Sequence, residues 1–79
     1  METITKLPEK KEFVIGTREI VKALESGKVK SVVVTSNCPD FLIAKVERKN
    51  IVVERFAEDE KQLGTRLGKP FPIAMVGYE

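Results

Sequence analysis

Histidine and tryptophan are absent from the 79 residues, and cysteine occurs once, as Cys38. Without histidine there is no Ser–His–Asp triad, no Cys–His nucleophilic pair and no Cys/His zinc site. A lone cysteine closes no intramolecular disulfide, which is consistent with a reducing compartment. The aromatics are Phe13, Phe41, Phe56, Phe71 and Tyr78, too sparse for a stacking platform along a single strand. No apolar run approaches the roughly 18–20 residues of a membrane span. Residues 1–12 are charged and lack an apolar centre, so they do not read as a signal peptide. The expectation is a cytoplasmic protein with no membrane partner.

What is present points to a folded domain. Hydrophobic residues make up 42% and charged residues 33%, a globular rather than a disordered balance. The length suits one domain, and a chain this short buries only roughly 60–65% of its unfolded surface, so the core must be efficient. Fourteen Lys and Arg against twelve Asp and Glu leave a net charge of +2. That permits a small nucleic-acid footprint without demanding one.

Residues 1–11 are polar and read as a mobile or loosely docked lead-in to a single domain over 12–79. A short strand is expected at 12–15, broken by Gly16. Thr17 is a good helix N-cap, with Glu19 in the first turn where the dipole favours an anion. Ile20, Val21 and Leu24 form an apolar stripe at helical spacing, and Gly27 marks the stop. The three valines within 31–36 suit a strand buried on both faces. The segment 41–49 is ambiguous, but Asp40 before it and Arg48-Lys49 at its end favour a short helix. A strand at 51–56, a helix at 59–67 and a strand at 73–78 complete a β-α-β-α-β-α-β order. Such alternation predicts an α/β fold, a three-layer α/β/α sandwich around a four-stranded mixed sheet.

Several constellations could carry chemistry. Gly64-x-x-x-Gly68-Lys69 hints at a phosphate loop, but it has one residue too few between the glycines, Pro70 in place of Ser or Thr, and a helix before it. Gly64 within a helix is unfavourable by about 1 kcal/mol against alanine, which implies close packing or an approaching ligand there. Glu58, Asp59 and Glu60 read most simply as a solvated acidic first turn.

Gly16-Thr17-Arg18-Glu19-x-x-Lys22 is richer. The amides of residues 17–19 open a helix, where phosphate oxygens bind well. Arg18 and Lys22 project from one side. Glu19 cannot favour phosphate but can accept from base amino or imino groups. An ordinary capped helix with an exposed charge pair explains the same residues. Asn37, in the turn after the valine strand, is either turn chemistry or a neighbour of Gly16 and Arg18 at the sheet's carboxyl edge. In Lys69-Pro70-Phe71-Pro72 the ring is either a packed loop anchor or an exposed wedge for a base.

Together these motifs resemble one family. Gly16-Thr17-Arg18-Glu19-Ile20-Val21-Lys22-Ala23-Leu24-x-x-Gly27-Lys28-Val29-Lys30, then Val32-Val33-Val34-x-Ser36-Asn37-Cys38-Pro39, is similar to the ribosomal protein "L-thirty-e" branch of the kink-turn-binding superfamily, which also holds the "L-seven-Ae" proteins. Leu63-Gly64-Thr65-x-x-Gly68-Lys69-Pro70 is similar to its closing segment. The likeness covers about residues 13–78. It implies a non-catalytic protein without cofactor or metal that binds kink-turn ribosomal RNA in an archaeal large ribosomal subunit, beside neighbouring ribosomal proteins. It also implies that Gly16, Thr17, Arg18, Glu19 and Lys22 enter the kink and meet its sheared G·A pairs, with Asn37 beside them. Lys69, Pro70 and Phe71 would cover looped-out nucleotides. The alternative expectation is a protein-interaction module, or a component of a non-ribosomal ribonucleoprotein, that keeps the fold.

Overall fold

The computed structural model describes residues 1–9 and 12–79. The elements run β1 (Glu2–Ile4), β2 (Phe13–Ile15), α1 (Thr17–Glu25), β3 (Ser31–Val34), α2 (Asp40–Val46), β4 (Val52–Phe56), α3 (Glu60–Arg66) and β5 (Met75–Tyr78). The predicted alternation is present, with the ambiguous central segment helical.

Among the described residues the sheet has five strands rather than four, in the order β1-β4-β3-β5-β2. The additional strand lies in the expected polar lead-in. Glu2–Ile4 pairs in parallel with β4, Ile4 opposite Phe56. A three-residue polar strand has no periodicity to announce it; it forms because β4 offers an open edge of backbone donors and acceptors. β3 pairs in parallel with β4, and β5 runs antiparallel between β3 and β2.

Alternation along β3 sorts the core into two halves. Val32 and Val34 face one side, where they meet Ile20 and Ala23 of α1 and Ile43 and Val46 of α2. Val33 faces the other side with Val76, Tyr78, Phe56 and Leu63 of α3. Two helices thus cover one face and one covers the other, and the three valines are fully buried. Burial of that kind stabilises by about 1.5–3 kcal/mol per side chain. Gly77 sits where a Cβ would press on Val29 Cγ1 at 3.1 Å and Ile20 Cγ1 at 3.4 Å, so its bare backbone lets α1 settle onto the sheet.

Strand directions place the carboxyl ends of β2, β3 and β4, and the start of β5, at one end of the sheet. All three helices begin there. The turn after β3 is tied down at the same end: the Thr35 amide donates to the Ala74 carbonyl at 3.0 Å, and the Ser36 amide to the Glu58 carbonyl at 3.2 Å.

Candidate nucleic-acid interface

The first element of the interface is the start of α1. The residue capping it is Gly16, not Thr17, which is already the first helical residue. Gly16 has φ +90°, a backbone conformation that side chains rarely adopt, and nothing lies within 4 Å of where its Cβ would be. The chain therefore turns sharply into the helix and leaves open space above the turn. The first helical bond runs from the Ile20 amide to the Gly16 carbonyl at 3.0 Å, so the amides of residues 17–19 precede the ladder. Among the described residues no side chain caps them. Arg18, Glu19 and Lys22 are exposed and Thr17 is half-buried.

The second element is the loop before β5. α3 ends with paired bonds from the Gly68 amide to the Thr65 carbonyl (3.0 Å) and from the Lys69 amide to the Gly64 carbonyl (2.9 Å), with Gly68 at φ +75°. The chain then doubles back along its own helix. A Cβ on Gly64 would collide with the Phe71 carbonyl oxygen and touch Pro72 Cα at 3.4 Å. The glycine in the helix is there for this contact between backbones. The Ile73 amide closes the loop by donating to the Glu60 carbonyl at 2.9 Å. Phe71 is thus anchored through its backbone while its side remains 48% exposed. The anchor is therefore the loop's backbone and not the ring, which stays exposed.

These two elements face each other across a groove of ≈ 220 Å³ whose lining includes Gly16, Thr17, Phe71 and Pro72. Pro70 and Lys69 lie on the far side of Phe71, in a groove shared with Lys61 and Thr65. Lys69 Nζ also stands 6.0 Å from the Phe13 ring centroid, a cation–π contact that orients it. Glu19 and Lys22 line the flank of α1 that faces β2, whereas Arg18 and Lys22 line the flank that faces α2. Asn37 is exposed in the turn after β3 and lines none of these four grooves.

Three residues had no signal in the sequence. Lys45 of α2 joins Arg18 and Lys22 only because α1 packs on α2. Lys61 joins Lys69 and Phe71 because the loop doubles back. Phe41, in the first turn of α2, is 65% exposed, more than Phe71.

The remaining constellations are structural. Asp59 caps α3 by accepting from the Gln62 amide at 3.0 Å, and Glu58 pairs with Arg66 at 3.4 Å in an exposed position. Cys38 is buried, and burial pushes its thiol up, opposed by Arg55 and aided by Glu60 and Asp40. It packs as a small apolar side chain. Among the described residues no group of three His, Cys, Asp or Glu could hold a metal ion, and no helix is long and apolar enough to cross a membrane.

Comparison with known proteins identifies the family and the fold. The family described as "Ribosomal protein L7Ae/L30e/S12e/Gadd45 family" matches residues 1–78. The chain is 40% identical over 63 residues to the "Large ribosomal subunit protein eL30" of Methanosarcina mazei, covering 80% of this chain and 61% of that protein. It is 32% identical over 60 residues to the protein of the same name from Archaeoglobus fulgidus, covering 76% and 70%. A solved structure described as a protein with unknown function from Bacillus halodurans superposes with a TM-score of 0.71 at 22% identity, covering 84% of this chain and 69% of that one, a likeness of fold. The chain thus spans between about three fifths and seven tenths of the two curated relatives. With the family matched over almost its whole length, the chain belongs to the Ribosomal protein L7Ae/L30e/S12e/Gadd45 family.

Proposed function

We propose that this protein is a non-catalytic RNA-binding protein that grips a kink-turn of ribosomal RNA as part of an archaeal-type large ribosomal subunit. The observation that carries the reading is the groove between the glycine-capped start of α1 and the half-exposed Phe71. Both curated relatives are named as large ribosomal subunit proteins, which directs the proposal to ribosomal RNA and to a ribosomal location in the cytoplasm.

Each residue has a separable task. Helix-start amides 17–19, Arg18 and Lys22 hold phosphates and set position. Glu19 accepts hydrogen bonds from base N–H groups in the kink, where a carboxylate beside cations is otherwise out of place. Gly16 provides clearance for close approach. Phe71 offers a ring face to an unstacked base, with Pro70 stiffening the loop and Lys69 adding charge. Asn37, exposed at the same end of the sheet, serves the outer margin of the contact.

The test is binding to a short kink-turn RNA and to the same RNA with its G·A pairs replaced by Watson–Crick pairs. Tight binding that depends on the G·A pairs is expected. Equal, weak binding to both, lost together as salt rises, would leave only non-specific phosphate attraction and defeat the proposal.

A further inference from the structure

A second groove lies between α1 and α2. It measures ≈ 470 Å³ and is lined by Thr17, Arg18, Val21, Lys22 and Lys45. The three cations reach it from two helices, are all exposed, and have no ion-pair partner among the described residues. No acidic side chain lines it. Val21 is the apolar side chain of its lining, and the long stems of Arg18, Lys22 and Lys45 carry further methylenes. Three like charges converging on one groove repel each other in the free protein, and a polyanion relieves that repulsion.

We infer that this groove holds a sugar–phosphate segment of the bound RNA beyond the kink, with Lys45 as its phosphate contact from α2. The inference rests on the RNA-binding reading above, because Thr17 lines both this groove and the one beside Phe71 and makes the two surfaces continuous. The chemistry matches on both counts. Phosphates meet the cations, and the ribose and base faces meet the apolar part of the lining. The footprint then extends across two helices rather than stopping at one.

The experiment compares wild type, Lys45→Ala, Lys45→Arg and Lys49→Ala. Dissociation constants are measured on the kink-turn RNA and on the G·A-replaced RNA at about 50 and 200 mM salt. Lys49 is an exposed cation past the end of α2 that lines none of the grooves described, and serves as the control. Lys45→Ala should weaken kink-turn binding about threefold to tenfold at the lower salt and reduce the slope of log K against log salt by about 0.7–0.9, one phosphate contact. It should keep the preference for the G·A-containing RNA, because it touches no base. Lys45→Arg should restore the slope, and Lys49→Ala should change neither quantity. Lys45→Ala indistinguishable from wild type in both affinity and slope overturns the groove assignment and leaves the groove to an acidic protein surface, while the kink-turn reading stands. A wild type that does not prefer the G·A-containing RNA overturns both.

Discussion

Glu19 is the residue whose chemistry is least explained by stability. It is exposed, sits in the first turn of α1, and lies one position from Arg18 and three from Lys22. A carboxylate there gains a little from the helix dipole. It also lowers the positive potential beside Arg18 and Lys22, and under the proposed function its task is to accept hydrogen bonds from bases. Replacing Glu19 with alanine should therefore weaken binding to kink-turn RNA by about 1–3 kcal/mol relative to plain duplex RNA. Titration of both RNAs with the variant decides the matter, and equal loss on the two would remove the base-reading role. Under the same proposal Arg18 and Lys22 contribute charge, which every RNA meets alike. The grouping of these three residues at a helix start was legible in the sequence, because a glycine followed by charges at helical spacing is a local signal, although the cap was expected one residue late, at Thr17 rather than Gly16. Lys45 was not legible, since nothing near it in the chain relates it to Arg18.

Among the elements, α3 and its following loop form one unit. The short helix carries a glycine at its centre, buried, with the Phe71 carbonyl against it. In an exposed helix Gly→Ala would stabilise by about 1 kcal/mol. Here the obstacle is backbone, which cannot rotate out of the way as a side chain can. Gly64→Ala should cost about 1–3 kcal/mol, as overpacking does, and should also weaken kink-turn binding because Phe71 is displaced. Denaturant unfolding and RNA titration of the same variant check both halves. A variant that is more stable than wild type would mean the loop is not held by this contact. The sequence showed that Gly64 was anomalous and left close packing and ligand approach as the explanations. Only the fold shows that the partner is the chain's own loop.

β1 is the opposite case. Its residues carry no local signal, and it exists because β4, far along the chain, leaves an edge open to it. Parallel pairing joins segments about fifty residues apart in the chain, and that distance is invisible to any window of sequence.

At the scale of the whole molecule, stability and charge are set by how the parts are assembled. Tyr78 is fully buried against Phe13, ring centroids 6.2 Å apart, and among the described residues its hydroxyl has no hydrogen-bond partner. Burial pushes its phenol above the ordinary value of 10.0, and burial likewise raises the Cys38 thiol above 9.0. Both groups are neutral when protonated, so the folded state resists losing these protons. The unfolded chain gives them up first. Stability is then complete below about pH 9 and falls as pH rises through the ordinary and then the raised values, by at most about 1.4 kcal/mol per pH unit for each group. Denaturant midpoints measured from pH 7 to 11 should be level at first and decline above about pH 9. The double substitution Cys38→Ala with Tyr78→Phe should blunt that decline. A midpoint that falls equally in the double variant would assign the loss to other groups.

The amino-acid order was enough for the alternation of strands and helices, the doubly buried valine strand, the helix that follows Gly16 and the family likeness. These depend on periodicity, capping chemistry and glycine placement, which act over a few residues. Tertiary structure alone decided the fifth strand, the contact between Gly64 and the Phe71 backbone, and the gathering of Arg18, Lys22 and Lys45 around one groove. Those depend on which distant edges and faces meet when the apolar halves are buried. Burial specifies that an apolar face must be covered, and leaves to the packed whole which polar residues are carried together with it.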